Sequence, residues 1–250
     1  MKIRLICPTR ELDESYDTHT ALGRSLSLCP KLLDLDHKVE RRVFGLTTKR
    51  ALGADIIPLP KLFNIAIEEA KDDPAILVFI HDDIEMLDFF WPYHLVDGLE
   101  KFDMVGLAGN SQRTAKQAAW GSLGEDIYTS NWRHFSGTVA MANTDKSDVN
   151  RGCIGRGGVR IFCFGPCYKE VKFLDGLFMA VHSDTFHKHD IRFDEQFAFH
   201  FYDMDLCRQM EVAGLRMGTV GITLVHDDNN SYSDPSWAQT YEKYMKKWKG

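Results

Sequence analysis

The 250-residue sequence predicts an α/β fold: a mostly parallel sheet flanked by helices, with an irregular insertion. Three observations carry that reading. Ala75-Ile76-Leu77-Val78-Phe79-Ile80 is a continuous apolar run of strand length, as expected of a parallel strand covered on both faces. A helical pattern precedes it at 59–71, and a strand pattern opens the chain, giving the strand–helix–strand order of a βαβ unit. The apolar run then stops at His81-Asp82-Asp83. Ligands of open α/β sheets bind beyond such carboxyl ends.

The elements follow in order. Lys2 to Thr9 reads as a strand that stops at Pro8, because proline cannot continue a ladder. Arg42 to Leu46 is a second strand. In the helix at 59–71, Leu62, Ile65, Ala66 and Ala70 recur at helical spacing, Pro60 fits the first turn, and Asp72-Asp73-Pro74 ends it. Phe102 to Ala108 is a further strand. From 110 to 169 the chain is rich in Gly, Ser, Asn and aromatic residues and includes the glycine-rich stretch 152–158. It is expected to form long loops with short strands, more mobile than its flanks, and long insertions of this kind are usually functional. Residues 171–181 resume the sheet. A helix at 203–213 is closed by Gly214. A last strand at 219–225 ends at His226-Asp227-Asp228, and an amphipathic helix fills the tail. There is no internal repeat or linker, so one domain is expected.

Composition narrows the partners. A formal charge of −6 argues against nucleic acid, whose phosphates demand a basic face. No C-x-x-C pair occurs among the six cysteines, and Cys7 and Cys207 sit in apolar patterns as small buried hydrophobes. No run of some 18 apolar residues is present, so no transmembrane helix is expected. With no signal sequence after Met1-Lys2, a cytoplasmic location is expected.

Three places could carry chemistry. His81 and Asp83, at alternate positions of extended backbone, point to one side and could share a divalent cation, although a solvated strand-end turn is an equally good account. Asp203 and Asp205 open a helix, where carboxylates suit the macrodipole. A carboxylate there can also act as a general base. His226, at the tip of the last strand, parallels Asp83. Trp120, Trp132 and His134 lie in the insertion, where rings could stack on sugars, though packing explains them as well. His182, His187 and His189 show no zinc spacing and read as a solvated turn. On the tail helix, Trp237, Tyr241, Tyr244 and Trp248 share a face with lysines interleaved. That face suits docking on the domain or a peripheral membrane contact.

Taken in order, these segments resemble the family-2-type glycosyltransferases, the glycosyltransferase-like group with a GT-A nucleotide-diphospho-sugar fold. Ile6-Cys7-Pro8-Thr9 resembles that family's first strand, beside the nucleotide. Leu62-Phe63-Asn64 to Ala70 looks like its helix with an early Asn. Phe79-Ile80-His81-Asp82-Asp83 looks like the D-x-D motif, with His81 in place of the first Asp. Phe173-Leu174-Asp175-Gly176 resembles the acceptor-side strand and turn, and Phe193-Asp194-Glu195-Gln196-Phe197 is similar to F-D-E-x-F. Tyr202-Asp203-Met204-Asp205-Leu206-Cys207-Arg208 looks like the helix that carries the catalytic base, with Tyr202 in place of a Glu. The family's acidic residue at the end of the second strand has no match in Phe44-Gly45-Leu46-Thr47-Thr48, which leaves the nucleobase open.

The resemblance implies a nucleotide-binding half at about 1–109, an acceptor-side half at about 110–235 and a C-terminal helix at 236–250. It implies Mn²⁺ or Mg²⁺ held by Asp83, His81 and His226. The donor, a UDP- or GDP-sugar, would lie against Pro8, Thr9, Asn64, Asp82, Asp175 and Gly176. Asp203 would be the base of an inverting transfer to the hydroxyl of a glycan, a lipid-linked sugar or another acceptor. The alternatives are a nucleotidyltransferase of related fold, a non-catalytic nucleotide-sugar or glycan-binding domain, and a transferase acting on nucleic acid through Arg151, Arg156 and Arg160.

Overall fold

The computed structural model describes residues 1–28, 37–142, 159–227 and 235–249. Cys29, Cys153, Asp228, Arg151, Arg156 and the glycine-rich stretch 152–158 lie outside the described residues. The chain begins with β1 (Lys2–Pro8), α1 (Tyr16–His19), α2 (Ala21–Leu28), β2 (Lys38–Phe44), α3 (Leu46–Ala51) and α4 (Leu59–Glu69). It continues through β3 (Ile76–Ile80), β4 (Ile84–Met86), α5 (Trp91–Leu99), β5 (Met104–Gly106), β6 (Ala108–Asn110), β7 (Phe135–Ala142) and β8 (Val159–Gly165). Then come β9 (Glu170–Val171), β10 (Phe173–Leu174), β11 (Phe178–His182), α6 (Ser183–His189), α7 (Tyr202–Val212), β12 (Met217–Thr219), β13 (Leu224–His226) and α8 (Ser236–Trp248).

Two sheets form. The larger has the order β2-β1-β3-β11-β5-β12-β9, and the smaller has β10-β6-β7-β13-β4 with β8 paired to β7. In the larger sheet β2, β1, β3, β5 and β12 run one way, and β11 and β9 run against them. Strand side chains alternate between faces, and each face has its own core. Ile6, Leu77, Phe79, Met179 and Val181 pack towards α4 and α7 with Phe63, Phe193 and Met204. Ile3, Leu5, Cys7, Ile76, Val78, Ile80, Phe178 and Ala180 pack on the other side with Leu22, Trp91 and Leu95 of α2 and α5. The all-apolar β3 is fully buried, as its sequence requires.

Several expected strands prove to be two or three. Residues 102–108 become β5 in the larger sheet and β6 in the smaller, with the turn at Leu107. Residues 171–181 divide into β9, β10 and β11, and 219–225 into β12 and β13. In each case the chain leaves one sheet for the other, and a ladder cannot continue through that change of plane. Gly137 makes room for one such bend: its φ is +98°, and a Cβ there would sit 1.8 Å from the carbonyl oxygen of Leu107. The second strand spans Lys38–Phe44, and Leu46 already opens α3. Within the insertion, β7 and β8 form a long antiparallel ladder from Gly137–Gly165 to Ala142–Val159. The insertion is therefore more regular than its composition suggests. His187 and His189 belong to α6, not to a turn.

The tail helix α8 docks on the domain. Trp237, Tyr241, Met245 and Trp248 pack against the first core, where Tyr244 is buried. Asp205 is fully buried. It accepts from Trp248 Nε1 at 2.8 Å and pairs with Lys247 at 2.7 Å. The aromatic face that could have met a membrane is thus spent on this contact. No helix among the described residues is long and apolar enough to cross a membrane.

Candidate active site

The sheet crossings build the site. At 81–83 the chain leaves β3 of the larger sheet and enters β4 of the smaller. At 175–177 it passes from β10 to β11 in the reverse sense. β11 is antiparallel to β3, so the loop before it arrives at the same sheet edge where β3 ends. His81 N donates to Leu177 O at 3.2 Å and joins the two crossings. Because β13 pairs antiparallel with β4, His226 stands opposite Ile84, and Asp227 N donates to Asp83 O at 3.0 Å.

This register gathers His81, Asp83 and His226 into one cluster, each offering a ligand atom within 4.8 Å of the others. Asp83 Oδ1 lies 3.4 Å from His226 Nε2 and 3.9 Å from His81 Nδ1. That oxygen is buried, with the His226 ring beside it. Two atoms bound to one cation at about 2.0–2.2 Å can stand up to roughly 4.4 Å apart, so Asp83 is spaced to share an ion with either histidine. Two imidazoles with one carboxylate suit a first-row transition ion better than Mg²⁺, which prefers oxygen ligands throughout. Burial pulls Asp83 upward, but the adjacent His226 and His81 outweigh it and hold the carboxyl below its usual range. Burial, only partly opposed by Asp83, lowers His81.

Tyr202 and Asp203 come from the first turn of α7. Tyr202 Oη lies 3.0 Å from His81 Nε2 and 3.1 Å from the carbonyl oxygen of Gly176. The two departures from the resembled pattern, His81 and Tyr202, therefore touch. Asp203 Oδ2 accepts from Gly176 N at 3.1 Å, and its Oδ1 accepts from Met204 N at 2.8 Å. Gly176 is needed at this point because a Cβ would sit 2.5 Å from Tyr202 Oη. Burial first, and then the charge of Asp175, push Asp203 up to about 7. The helix terminus was expected to keep it readily ionised, but burial beside a second carboxylate wins. Asp175 Oδ1 accepts from Leu177 N at 3.1 Å, which pins the turn. The preceding residue, Phe201, has left-handed backbone, with φ of 66°. An aromatic residue tolerates that only where packing enforces it.

A second group lines the ends of β1 and β3. Thr9, just past Pro8, is buried, and its carbonyl accepts from Lys49 Nζ at 2.7 Å. Burial raises Asp82, and a side-chain hydrogen bond from Thr9 tempers the rise. Burial lowers Lys49 against the pull of Asp82. Sequence reasoning missed Lys49 because its burial depends on how α3 folds back over β1, which no local pattern signals. Asn64 stands apart from both groups. Its carboxamide exchanges two hydrogen bonds with the Phe193 backbone, at 2.9 and 3.0 Å, and so fixes the segment that leads to α7. Trp132 stacks on Phe164 with centroids 5.7 Å apart, and Trp120 packs against Phe135 and Phe164. His134 lies by Ser111.

A family model described as a glycosyltransferase-like family matches residues 58–248. Among solved structures, the catalytic domain of Drosophila β1,4-galactosyltransferase 7, in complex with xylobiose, aligns over 96% of this chain and 79% of that one, at 12% identity and a TM-score of 0.47. A197 from STIV aligns over 92% of this chain and 96% of that one, at 11% identity and a TM-score of 0.39. No curated protein sequence matches the chain.

Proposed function

The chain belongs to the glycosyltransferase-like family, and from that premise we propose that it moves a sugar from a nucleoside-diphospho-sugar to an acceptor hydroxyl with inversion. The observation that carries the reading is the carboxylate of Asp203. It is poised near neutral pH and sits one peptide unit from the contact that ties Tyr202 to His81.

In the proposed reaction the acceptor oxygen attacks the anomeric carbon. Its proton passes to Asp203, and the bond to the diphosphate breaks with the electron pair leaving on phosphate. A divalent cation held by His81, Asp83 and His226 would neutralise the charge that gathers on that diphosphate. Thr9, Lys49 and Asp82, at the ends of β1 and β3, are the groups proposed to hold the nucleoside. Asp175 and Gly176 border the sugar. The acceptor is proposed as a glycan, a lipid-linked sugar or another hydroxyl compound, and the donor pool as the cytoplasmic one.

A donor screen tests the proposal. The protein is incubated with UDP-, GDP- and dTDP-sugars, Mn²⁺ and candidate acceptors, and released nucleoside diphosphate is measured. Release from one donor class, lost in Asp203→Asn, is expected. Pyrophosphate as the product would instead establish nucleotidyl transfer, and binding of a donor without turnover would establish a binding domain.

A further inference from the structure

Tyr202 Oη is buried and has two polar neighbours: His81 Nε2 at 3.0 Å and Gly176 O at 3.1 Å. A phenol has one proton to donate and lone pairs to accept with, whereas a carbonyl oxygen only accepts. Both contacts are hydrogen bonds in one arrangement alone. Tyr202 donates to Gly176, and His81 donates its Nε2 proton to Tyr202. Were Tyr202 to donate to His81 instead, two oxygens would face each other at 3.1 Å with no proton between them, at a buried hydroxyl.

A neutral imidazole carries one N–H, and a nitrogen binds a cation only through a free lone pair. With the proton on Nε2, the lone pair is on Nδ1. Nδ1 is the nitrogen that faces the cluster, 3.9 Å from Asp83 Oδ1. We infer that Tyr202 is a positioning residue, which fixes His81 as the Nε2–H tautomer and so presents the Nδ1 lone pair to the space shared with Asp83 and His226. Its hydroxyl opposes the local preference, because a carboxylate beside Nδ1 attracts a proton to that nitrogen. Gly176, whose carbonyl accepts from Tyr202, also donates its N–H to Asp203. One residue thereby contacts both the group that sets the ligand nitrogen and the proposed base.

The inference rests on the cluster being a cation site, as proposed above, and its test needs no sugar donor. Long-range ¹H–¹⁵N spectra of metal-free protein at pH 8 report which His81 nitrogen carries the proton. Titration with Mn²⁺ alone reports affinity. Tyr202→Phe removes the hydroxyl and keeps the ring that packs between Phe63 and Phe193. The wild-type protein is expected to show His81 protonated at Nε2. The variant is expected to gain the Nδ1–H form and to bind Mn²⁺ about 10–100-fold more weakly. Wild-type His81 protonated at Nδ1, or a folded variant with wild-type Mn²⁺ affinity, overturns the inference. Should the variant fail to fold in a thermal melt, the wild-type spectrum decides alone. Absence of sugar transfer with the tautomer as expected would overturn the proposed reaction and leave this assignment standing.

Discussion

Asp203 carries the sharpest expectations at the scale of single residues. General-base catalysis contributes about 10²–10⁴-fold, so Asp203→Asn should lower kcat by that order. Donor affinity, read by calorimetry, should hardly change, and near wild-type turnover would rule out the role. The pH dependence has a definite sign. A base must be unprotonated to act, and this carboxyl is raised to about 7. The rate should therefore fall as pH drops through about 7 and level off above it, a limb that Asp203→Asn should abolish. At the cluster, Asp83→Ala should remove the Mn²⁺ dependence of UDP or GDP binding, compared with and without EDTA. That His81, Asp83 and His226 stand at strand tips and Asp203 at a helix start was legible in the sequence, because such positions announce themselves through punctuation. The charge state of Asp203 was not legible: it follows from burial beside Asp175, a residue 28 positions earlier in the chain. Nor was the partnership of His81 with Tyr202, which two unrelated stretches of sequence supply.

Among the elements, α8 reaches furthest. Its aromatic face read first as a docking face, with a membrane contact as the alternative, and periodicity alone does not name the partners it docks on. Buried Asp205 decides, gripping Trp248 and Lys247 while Gln209 donates to its other oxygen at 2.8 Å. Removing Asp205 leaves the Trp248 N–H without its acceptor, and a buried donor left unsatisfied costs about 1–3 kcal/mol. Asp205→Ala should therefore destabilise the protein by that order in a urea titration, and a change within about 0.5 kcal/mol would show the contact to be dispensable. The same helix reaches the site. Tyr244 stacks on Phe201 at 5.2 Å, with Trp237 at 5.5 Å and Tyr241 at 5.9 Å. These rings hold Phe201 in its left-handed conformation directly before Tyr202 and Asp203. The split strands were illegible for a related reason. A period of two tells which face a residue occupies, but not which of two sheets its strand has joined.

Across the whole molecule, the cluster ties β13 to the β3–β4 crossing. A cation bound there favours the folded chain by mass action, by about 2.7 kcal/mol at 100 times its Kd. Mn²⁺ should accordingly raise the thermal midpoint of the wild-type protein and leave Asp83→Ala unmoved. Equal shifts in both would place the ion elsewhere. The two-sheet architecture also sets a schedule. Synthesis proceeds at about 5–20 residues per second, and the groups of the site emerge in the order 81–83, 175–176, 202–203 and 226. A ribosome-bound chain carrying β1 to β3 already displays His81 and Asp83, yet β13 must emerge before their third companion exists, and α8 must follow before Phe201 is braced. The cluster is therefore complete only once both halves of this sequence have emerged, and the proposed transfer cannot begin before β13 joins the β3–β4 crossing.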